Sequence, residues 1–464
     1  MKKDILTAAF VASSCGGEII RDGGAAHGIA IDSRKVEKGN IFAAIAGENT
    51  DGHNSIRQSL EKGAGGIICE KVPEGELPGD GFVVKVENTV KALGAVAKAY
   101  RSLFGCPFVG VTGSVGKTTT RTLIRSVLAA KYVTYGTEGN FNNELGLPIS
   151  LLSFAPDIEA GVYELGMGVK GDIDMLSKIL SPTVGVITNI GTAHIEFLGS
   201  RENIRDAKME IAANVREGGK LILNGDEPLL SGVEGAVYCA LENKNADYYV
   251  ENIRFTPEGM LFDVKGKGGE TKDILLPAFG EQLVLDSLFA YAVGDLCGID
   301  HEKIKEGISS YEPVGMRQKI VRKDGGCFIL DYYNASPESM RTSYDVAVRL
   351  AENCGGRAVC VFGSVLEEGE HAEELHRSVG RYIAGGCGLL ATFGDDAAYI
   401  ADEAVKCGMK KENVAVFRDI EDPDALSDYL LENLKSGDCV IFKASHGIRL
   451  GRVADRVLSG GETK

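Results

Sequence analysis

Short apolar runs alternate along most of the chain with amphipathic stretches of helix length. Residues 108–112 form an apolar run that predicts a buried strand, and residues 118–130 have the spacing of a helix. Further strands are predicted at 161–164, 184–189 and 220–224, each ending in a polar residue or a turn. This alternation is typical of a mostly parallel sheet with helices on both faces, in which ligands bind at the carboxyl ends of strands.

Changes in this pattern divide the chain into three predicted domains: residues 1–104, 105–312 and 313–464. The first contains short apolar runs such as 41–46 and ends in a predicted helix at 90–103. A Gly- and Lys-rich stretch, 254–272, is interpreted as a β excursion of the second domain. The third domain has five predicted strands, at 327–331, 358–362, 388–393, 414–417 and 439–442. The pattern therefore predicts the α/β class throughout.

Composition excludes several functional classes. The 464 residues are 44% hydrophobic and 25% charged, which suits about three domains that each bury a core. A net charge of -16 disfavours a nucleic-acid partner. Eleven cysteines, none at C-x-x-C spacing, indicate neither a disulfide scaffold nor a zinc ribbon. No window reaches the roughly 18 apolar residues of a membrane helix, so we expect a soluble, cytoplasmic protein without membrane insertion.

A glycine-rich segment between the strand 108–112 and the helix 118–130 predicts a nucleotide phosphate loop. The segment consists of Thr112, Gly113, Ser114, Val115, Gly116, Lys117, Thr118 and Thr119. Its backbone N–H groups and the helix N-terminus would face phosphates. Lys117 is expected to meet the β- and γ-phosphates of ATP, and the Thr118 hydroxyl to bind Mg²⁺. Val111 replaces the first glycine of the usual G-x-x-x-x-G-K-[ST] pattern, which leaves a turn without nucleotide as the alternative.

Three further residues of the second domain are candidates for catalysis. Glu164 and His194 follow predicted strands, and Lys208 lies in a predicted helix. Beside a phosphate loop they suit a metal site with oxygen and imidazole ligands. Each residue alone is equally compatible with a structural or solvated role.

Several longer strings occur in order over nearly the whole chain. They are Asp32-Ser33-Arg34, Asp51-Gly52-His53, the segments 139–148, 188–194 and 207–211, Asp331-Tyr332-Tyr333-Asn334-Ala335, and the segment 367–371. Together with the phosphate loop they resemble the Mur ligases of bacterial cell-wall synthesis. The similarity is greatest to the branch that adds D-Ala-D-Ala to a UDP-N-acetylmuramoyl tripeptide.

This resemblance implies an architecture and a reaction. The central domain would be a P-loop-type, mostly parallel sheet, flanked by an N-terminal α/β domain for the uridine nucleotide and a C-terminal Rossmann-like α/β domain. A monomeric enzyme would use ATP and two Mg²⁺ ions to convert the tripeptide carboxylate into an acyl phosphate. The amine of D-Ala-D-Ala would then attack the acyl phosphate, with release of ADP and phosphate.

The resemblance also implies roles for individual residues. Thr118 and Glu164 would hold one Mg²⁺ and His194 the second. Lys117 would balance charge on the transferred phosphoryl group. Lys208 matches a lysine that is carbamylated in many family members and could then support a metal ion; the alternative is an unmodified lysine that contacts phosphate. No general base is assigned.

The remaining implied roles concern ATP and the uridine-linked substrate. Arg317, Asp331 and Asn334 would contact ATP or order the closed site. The substrate-binding residues implied by the resemblance are Ser33, Arg34, Gly47, Asp51 and His53 on the uridine side, and Thr137, Asn140 and Asn143 on the sugar or peptide side.

Some positions depart from the family pattern. Gln282 and Asp286 stand where many members have His and Asn beside the adenine. Because Asp cannot donate a hydrogen bond when ionised, adenine recognition is an open question. Three alternatives therefore remain: a diverged paralogue with another amine acceptor, a ligase of the folylpolyglutamate type, and a non-catalytic nucleotide-binding subunit. The intact N-terminal strings argue against the second and the retained site residues against the third.

Overall fold

Three β-sheets follow one another along the chain in a computed structural model that describes residues 5–47 and 50–460. The N-terminal sheet has the order β1-β5-β4-β3-β2, in which β1 is antiparallel and the other strands are parallel. Its elements are α1 (Ala8–Cys15), β1 (Glu18–Arg21), β2 (Ile29–Ala30), β3 (Ile41–Ala43), α2 (Ile56–Glu61), β4 (Gly66–Cys69), β5 (Phe82–Lys85) and α3 (Thr89–Ser102).

The central sheet has nine strands in the order β14-β13-β12-β11-β10-β9-β6-β8-β7. Strands β6 to β12 are parallel, and β12, β13 and β14 form an antiparallel extension. The strands are β6 (Phe108–Thr112), β7 (Thr134–Gly136), β8 (Ala160–Glu164), β9 (Val184–Ile187), β10 (Lys220–Asn224), β11 (Val237–Ala240), β12 (Tyr248–Thr256), β13 (Gly259–Gly266) and β14 (Gly269–Leu276). The helices are α4 (Lys117–Ala129), α5 (Gly146–Leu152), α6 (Asp172–Leu180), α7 (Ile195–Leu198), α8 (Arg201–Met209), α9 (Glu281–Leu296) and α10 (His301–Ser309).

The C-terminal sheet has six strands in the order β15-β16-β20-β17-β18-β19, of which β15 is antiparallel. The strands are β15 (Lys319–Lys323), β16 (Gly326–Leu330), β17 (Ala358–Gly363), β18 (Leu389–Phe393), β19 (Val414–Phe417) and β20 (Cys439–Lys443). The helices are α11 (Pro337–Cys354), α12 (Ala372–Ile383), α13 (Ala398–Lys406), α14 (Pro423–Asn433) and α15 (Gly451–Leu458). This arrangement confirms the predicted three-part α/β architecture; the predicted domain boundaries themselves stay a prediction.

The N-terminal and central sheets share one hydrophobic core. Helix α3 buries Leu93, Val96 and Tyr100 against side chains of the central sheet's helices. The guanidinium of Arg101 is buried over the Phe108 ring, 3.5 Å from its centroid. It donates to the carbonyl of Phe104, before β6, and to the carbonyls of Leu180 and Ser181, at the end of α6. These contacts hold the N-terminal domain against the central domain, at the amino ends of β6 and β9.

Among the described residues, no helix is both long enough and apolar enough to cross a bilayer.

Candidate active site

A cavity of about 710 Å³ lies between the central and C-terminal sheets. The central sheet contributes the loops that follow β6, β8 and β9 and the first turn of α9. The C-terminal sheet contributes the segment after β16 and the first turns of α11. Because the contributing loops follow the carboxyl ends of parallel strands, the cavity occupies the position where ligands bind in open α/β sheets.

The segment from Thr112 to Thr119 forms a tight turn between β6 and α4. Gly113 has φ +152° and Gly116 has φ +84°, both in the region that favours glycine. A Cβ at Gly113 would lie 1.9 Å from Thr188 Oγ1, and one at Gly116 would lie 2.8 Å from Asp286 Oδ1. The chain can therefore pass this closely to its neighbours only with glycine at both positions.

Asn189 and Thr188, which follow β9, hold the loop in shape. The Asn189 Oδ1 accepts hydrogen bonds from the backbone N–H groups of Ser114 and Val115, at 3.1 and 2.9 Å. The Thr188 hydroxyl donates to the Val115 carbonyl at 2.6 Å. The Lys117 ammonium lies along the inside of the loop and donates to the Gly113 carbonyl at 2.8 Å. The loop is thus preformed around the lysine.

Thr118 and Glu164, for which the family resemblance implies a shared metal ion, are in direct contact. The Thr118 hydroxyl donates to Glu164 Oε2 at 2.8 Å, and Asn142 Nδ2 donates to Oε1 at 2.9 Å. The Thr137 hydroxyl accepts from the Glu164 backbone N–H at 3.0 Å. A hydroxyl and a carboxylate beside a phosphate loop fit Mg²⁺, which takes few protein ligands and completes its shell with phosphate and water. In the described part of the chain, no three His, Cys, Asp or Glu side chains are grouped to hold a metal by themselves.

His194 lies across the cavity and contacts the C-terminal domain. Its backbone is left-handed, with φ +66°, and its Nδ1 is 2.9 Å from Glu367 Oε2. Burial and the nearby Lys117 ammonium lower the pKa of the His194 imidazole, and Glu367 opposes this effect. A neutral imidazole is the form that binds metal ions.

Lys208 is almost completely buried below the loop, with 1% of its surface exposed. Burial and repulsion by Lys117 hold its pKa well below the ordinary value for lysine. Within residues 5–47 and 50–460 no carboxylate lies at ion-pair distance from its amine. The amine is therefore a group whose uncharged form is favoured.

The cavity concentrates positive charge around the loop. Burial and repulsion by Arg317 lower the pKa values of both Lys117 and Arg121, while Glu164 raises them. Mutual repulsion among buried cations is relieved when an anion binds between them. The site is therefore electrostatically suited to a polyphosphate.

Four side-chain atoms in the cavity wall lack a hydrogen-bond partner among the described residues. They are Ser114 Oγ, Gln282 Nε2, Gln318 Oε1 and Arg341 Nε. Unpaired buried polar groups are costly, so a ligand that supplies partners is favoured here. A nucleotide carries both donors and acceptors and could therefore pair with these atoms.

Asp286 does not offer a free carboxylate to this wall. It is 1% exposed, and its Oδ1 accepts from the Thr120 hydroxyl at 3.0 Å. Burial raises the pKa of Asp286 to about 8. The carboxyl group therefore packs against the base of the phosphate loop in a largely protonated form. The sequence raised the concern that an ionised Asp286 cannot donate a hydrogen bond, and this concern does not apply to the protonated form.

The C-terminal wall is centred on a buried ion pair. Asp331 Oδ2 accepts from Lys443 Nζ and from the Ser343 hydroxyl, both at 2.8 Å. Lys443 also donates to the carbonyl of Asn334 at 3.0 Å, which fixes the loop after β16. Arg317 stacks on the Tyr333 ring at 3.7 Å and lines the same cavity. The structure thus brings Arg317, Asp331 and Asn334 together opposite the phosphate loop.

The residues expected on the uridine side lie on the N-terminal sheet, outside the cavity. Arg34 is 88% exposed and forms a 2.8 Å ion pair with Asp32. This hydrogen-bonded pair lowers the pKa of Asp32 to about 2. The neighbouring Ser33 carbonyl accepts from Lys62 Nζ. The Arg34 guanidinium is paired with Asp32 but remains exposed to solvent, so an anion could reach it.

Asp51 and His53 are a local pair on the same sheet. His53 is buried, its Nδ1 is 2.6 Å from Asp51 Oδ1, and its Nε2 accepts from the Glu70 backbone N–H. Both ring nitrogens are therefore used to join two loops. Gly47 closes the adjacent turn through a hydrogen bond from its N–H to the Thr50 carbonyl. Contact of these residues with a uridine nucleotide stays a prediction.

Three predicted residues follow β7. Asn140 is exposed and lines the cavity. Asn143 accepts from the backbone N–H of Gly146 at 2.8 Å and so starts α5, and Thr137 supports Glu164 as described above. Their predicted contact with sugar or peptide stays a prediction.

Sequence reasoning missed Asn142, Asn189 and Lys443 as site residues. Asn142 and Asn189 lie within strings that were singled out, and Lys443 ends a predicted strand. Position at the carboxyl end of a parallel strand was the signal that could have identified the last two.

Comparison with protein families covers most of the chain. Residues 25–101 match the model "Mur ligase family, catalytic domain", residues 111–294 the "Mur ligase middle domain", and residues 316–446 the "Mur ligase, glutamate ligase domain".

Individual relatives match over nearly their whole length. The chain is 37% identical to the UDP-N-acetylmuramoyl-tripeptide–D-alanyl-D-alanine ligase of Bacillus subtilis, over 92% of each chain. It is 32% identical to the ligase of the same name from Synechocystis, over 94% of this chain and 92% of the relative. Among solved structures, MurF from Acinetobacter baumannii aligns with a TM-score of 0.87 at 27% identity, over 98% of both chains. MurF ligase from Thermotoga maritima in complex with ADP aligns with a TM-score of 0.81 at 28% identity, over 94% of this chain and 97% of that one.

Proposed function

The chain belongs to the Mur ligase family, and on this basis we propose that it joins D-Ala-D-Ala to UDP-N-acetylmuramoyl tripeptide at the expense of ATP. The product is a peptidoglycan precursor, and ADP and phosphate are released. The observation that carries the proposal is the contact of Thr118 with Glu164 beside Lys117, in a cavity that the C-terminal domain completes.

The chemistry explains the positive charge of the site. A carboxylate is a poor electrophile, so its conversion to an acyl phosphate must precede attack by the amine. That transfer brings a substrate carboxylate and the ATP γ-phosphate together, and Lys117, Arg121 and Arg317 offset their repulsion. Arg317, Asp331 and Asn334 close the site over ATP and exclude water that would hydrolyse the acyl phosphate.

Magnesium is expected at two positions. Thr118 and Glu164 would hold the ion shared by the β- and γ-phosphates, and neutral His194 would hold a second. The ions supply charge neutralisation at the transferred phosphoryl group.

Lys208 is proposed to be carbamylated. An uncharged lysine amine is the nucleophile that adds CO₂, and burial with repulsion by Lys117 favours that form. The carbamate would be an anion near Lys117 and His194. It would attract the Lys117 ammonium and help to hold the metal ion that His194 is proposed to bind.

The uridine-linked substrate would extend from the N-terminal sheet to the cavity. Ser33, Arg34, Gly47, Asp51 and His53 are proposed to bind the uridine nucleotide, with Arg34 facing a phosphate. Thr137, Asn140 and Asn143 are proposed on the sugar or peptide side. The enzyme is proposed to act as a cytoplasmic monomer.

The test is release of phosphate from ATP with UDP-N-acetylmuramoyl tripeptide, with and without D-Ala-D-Ala. Release that requires both substrates, with the pentapeptide product identified by mass, is the expected result for either the lysine or the diaminopimelate form of the tripeptide. Release with another amine acceptor alone would indicate a diverged paralogue. No release with any combination would favour a nucleotide-binding subunit.

A further inference from the structure

Arg341 lies in the C-terminal wall of the cavity, in the second turn of α11. Helix α12 holds its side chain in place. Its Nη2 donates to the Ser378 hydroxyl oxygen at 2.6 Å, and its guanidinium carbon lies 5.9 Å from the centre of the Tyr382 ring. The guanidinium is therefore positioned by its own domain, before any ligand is bound.

The positive charge of Arg341 has no carboxylate partner. Within the described ranges, the only hydrogen bond of its side chain is the one to Ser378, and no Asp or Glu oxygen lies at ion-pair distance. Its Nε is buried without a partner. The other arginines of α11 and α12 are each paired with a glutamate; they are Arg349, Arg377 and Arg381.

An unpaired guanidinium is unusual in this chain, whose net charge of -16 supplies acidic side chains in excess. Glu338, three residues earlier on the same helix, accepts from the Thr192 hydroxyl at 3.1 Å and forms no ion pair with Arg341 in the part of the chain that the structure describes. Buried donors without acceptors are costly, so Arg341 favours an anion that enters the cavity.

The position of Arg341 favours a carboxylate over the phosphates of ATP. Arg317 lies close enough to the phosphate loop for its charge to lower the pKa of Lys117, whereas Arg341 contributes nothing to this shift. The cations around the loop therefore serve the polyphosphate. A single guanidinium presents a planar fork of N–H donors, which matches one carboxylate.

The distance from the loop suits a dipeptide. The first turn of α11 reaches the loop through Gly191, where a Cβ would lie 3.2 Å from Ser114 Cβ and 3.4 Å from the carboxyl carbon of Glu338. Arg341 follows Glu338 by about 4.5 Å along the helix axis. An extended dipeptide spans up to about 7 Å. An amine beside the phosphate loop can therefore belong to a dipeptide whose carboxylate reaches Arg341.

We propose that Arg341 binds the terminal carboxylate of the incoming amine substrate. This inference rests on the proposed function, in which that substrate is D-Ala-D-Ala. The dipeptide must present its amine to the acyl phosphate beside the loop, so its carboxylate lies at the opposite end. Pairing with Arg341 orients the dipeptide and selects acceptors that end in a free carboxylate.

The experiment compares D-Ala-D-Ala with D-Ala-D-alaninamide, whose terminal carboxamide is uncharged, as acceptors for the full-length enzyme. Steady-state kinetics are measured for the wild type, Arg341→Gln and Arg341→Lys, with KM values for ATP and the tripeptide as well. The control is Arg452→Gln, at an exposed position on α15 of the same domain. Thermal unfolding of each variant checks that it is folded.

Wild-type enzyme is expected to use D-Ala-D-Ala with a kcat/KM about 10- to 100-fold higher than that for the amide, because only the carboxylate forms a charge-assisted pair. Arg341→Gln should raise the KM for D-Ala-D-Ala by a similar factor and leave the KM for the amide within about twofold of wild type. Arg341→Lys keeps a positive charge without the fork and should recover part of the loss. The KM values for ATP and the tripeptide should change less than about twofold.

The inference fails if Arg341→Gln keeps its KM for D-Ala-D-Ala, or if the wild type uses the amide equally well. A rise in KM for the dipeptide and the amide together would show that the guanidinium has a structural role through its contacts with α12. A rise confined to ATP or to the tripeptide would assign Arg341 to a phosphate or to a tripeptide carboxylate, and would equally refute the inference. Absence of turnover in the wild type would refute the proposed function itself.

Discussion

Lys117 is the residue on which the phosphate-loop assignment depends most directly. Its ammonium lies inside the loop against the Gly113 carbonyl, where it would meet the transferred phosphoryl group. Lys117→Ala is expected to lower kcat for ADP release by about 100- to 1000-fold, the usual cost of removing one group that stabilises developing charge. Thermal unfolding should stay within a few degrees of wild type. Lys220→Ala, at the exposed amino end of β10, is the matched control, and activity retained by Lys117→Ala would contradict the assignment.

Chemical rescue of a Lys208 variant would distinguish a carbamate at this position from a free amine. Lys208→Ala should abolish turnover, and millimolar formate or acetate should restore part of it, because a small carboxylate can occupy the space and charge of a carbamate. Lys117→Ala should not respond to the same carboxylates. No recovery for Lys208→Ala at any carboxylate concentration would favour an unmodified lysine that contacts phosphate.

Asp286 should make the stability of the protein depend on pH. Its pKa is raised from 3.8 to about 8 in the folded chain, so the folded state binds more protons than the unfolded state between these values. Stability contributed by the group is therefore present at low pH and falls as pH rises through that window, by up to about 1.4 kcal/mol per pH unit. Asp286→Asn keeps the Oδ1 that accepts from Thr120 but cannot ionise. Thermal unfolding from pH 5 to 9 should show the variant gaining over wild type as pH rises; parallel curves would show that Asp286 is ionised throughout.

At the scale of elements, the turn between β6 and α4 allows a test that separates backbone strain from crowding. Gly116 and Gly218 have similar positive φ values, +84° and +77°, but a Cβ at Gly116 would press on Asp286 while one at Gly218 meets nothing within 4 Å. Gly218→Ala should cost about 1 kcal/mol in unfolding free energy and leave kcat/KM for ATP unchanged. Gly116→Ala should cost more and raise the KM for ATP. Equal effects of the two substitutions would mean that the loop yields to the added methyl.

Elements were predictable from the sequence to the extent that local pattern decides them. The strands Phe108–Thr112, Lys220–Asn224 and Val414–Phe417 occur at their predicted residues, because each is a short apolar run between turns. The run 184–189 was predicted two residues too long, since Thr188 and Asn189 leave the ladder to bind the phosphate loop. The excursion at 254–272 was recognised as β structure, but its extension to three strands from Tyr248 to Leu276 depends on pairing across turns.

The site was predictable where one contiguous motif carries it, as in the phosphate loop. Contacts between segments that are distant in sequence could not be predicted, because no local pattern in the sequence indicates them. Glu164 was singled out, but its hydrogen bonds from Thr118 and Asn142 join the end of β8 to the first turn of α4 and to the segment after β7.

At the scale of the whole molecule, the two interfaces of the central domain differ in kind. The N-terminal sheet joins it through a shared core and the buried Arg101. The C-terminal sheet has two apolar clusters of its own, one of which includes Phe279 from the central domain. Its other contacts include polar pairs such as Thr192 with Glu338, His194 with Glu367 and Glu281 with Arg349. Isolated polar contacts contribute little, so we expect ligands in the cavity to strengthen this interface.

That difference predicts how nucleotide binding spreads through the protein. A non-hydrolysable ATP analogue with Mg²⁺ should slow amide hydrogen exchange in the phosphate loop, 113–118, and also in the segment 331–343, because Asp331, Asn334 and Ser343 line the same cavity. The N-terminal segment 82–102 should change little, since its core is complete without ligand, and the strand and helix at 414–433 provide a control within the C-terminal domain. Mass spectrometry of peptides from the full-length enzyme measures all four regions in one experiment. Protection confined to 113–118 would remove Arg317, Asp331 and Asn334 from the ATP site, because a nucleotide that bridges the two sheets must restrain both.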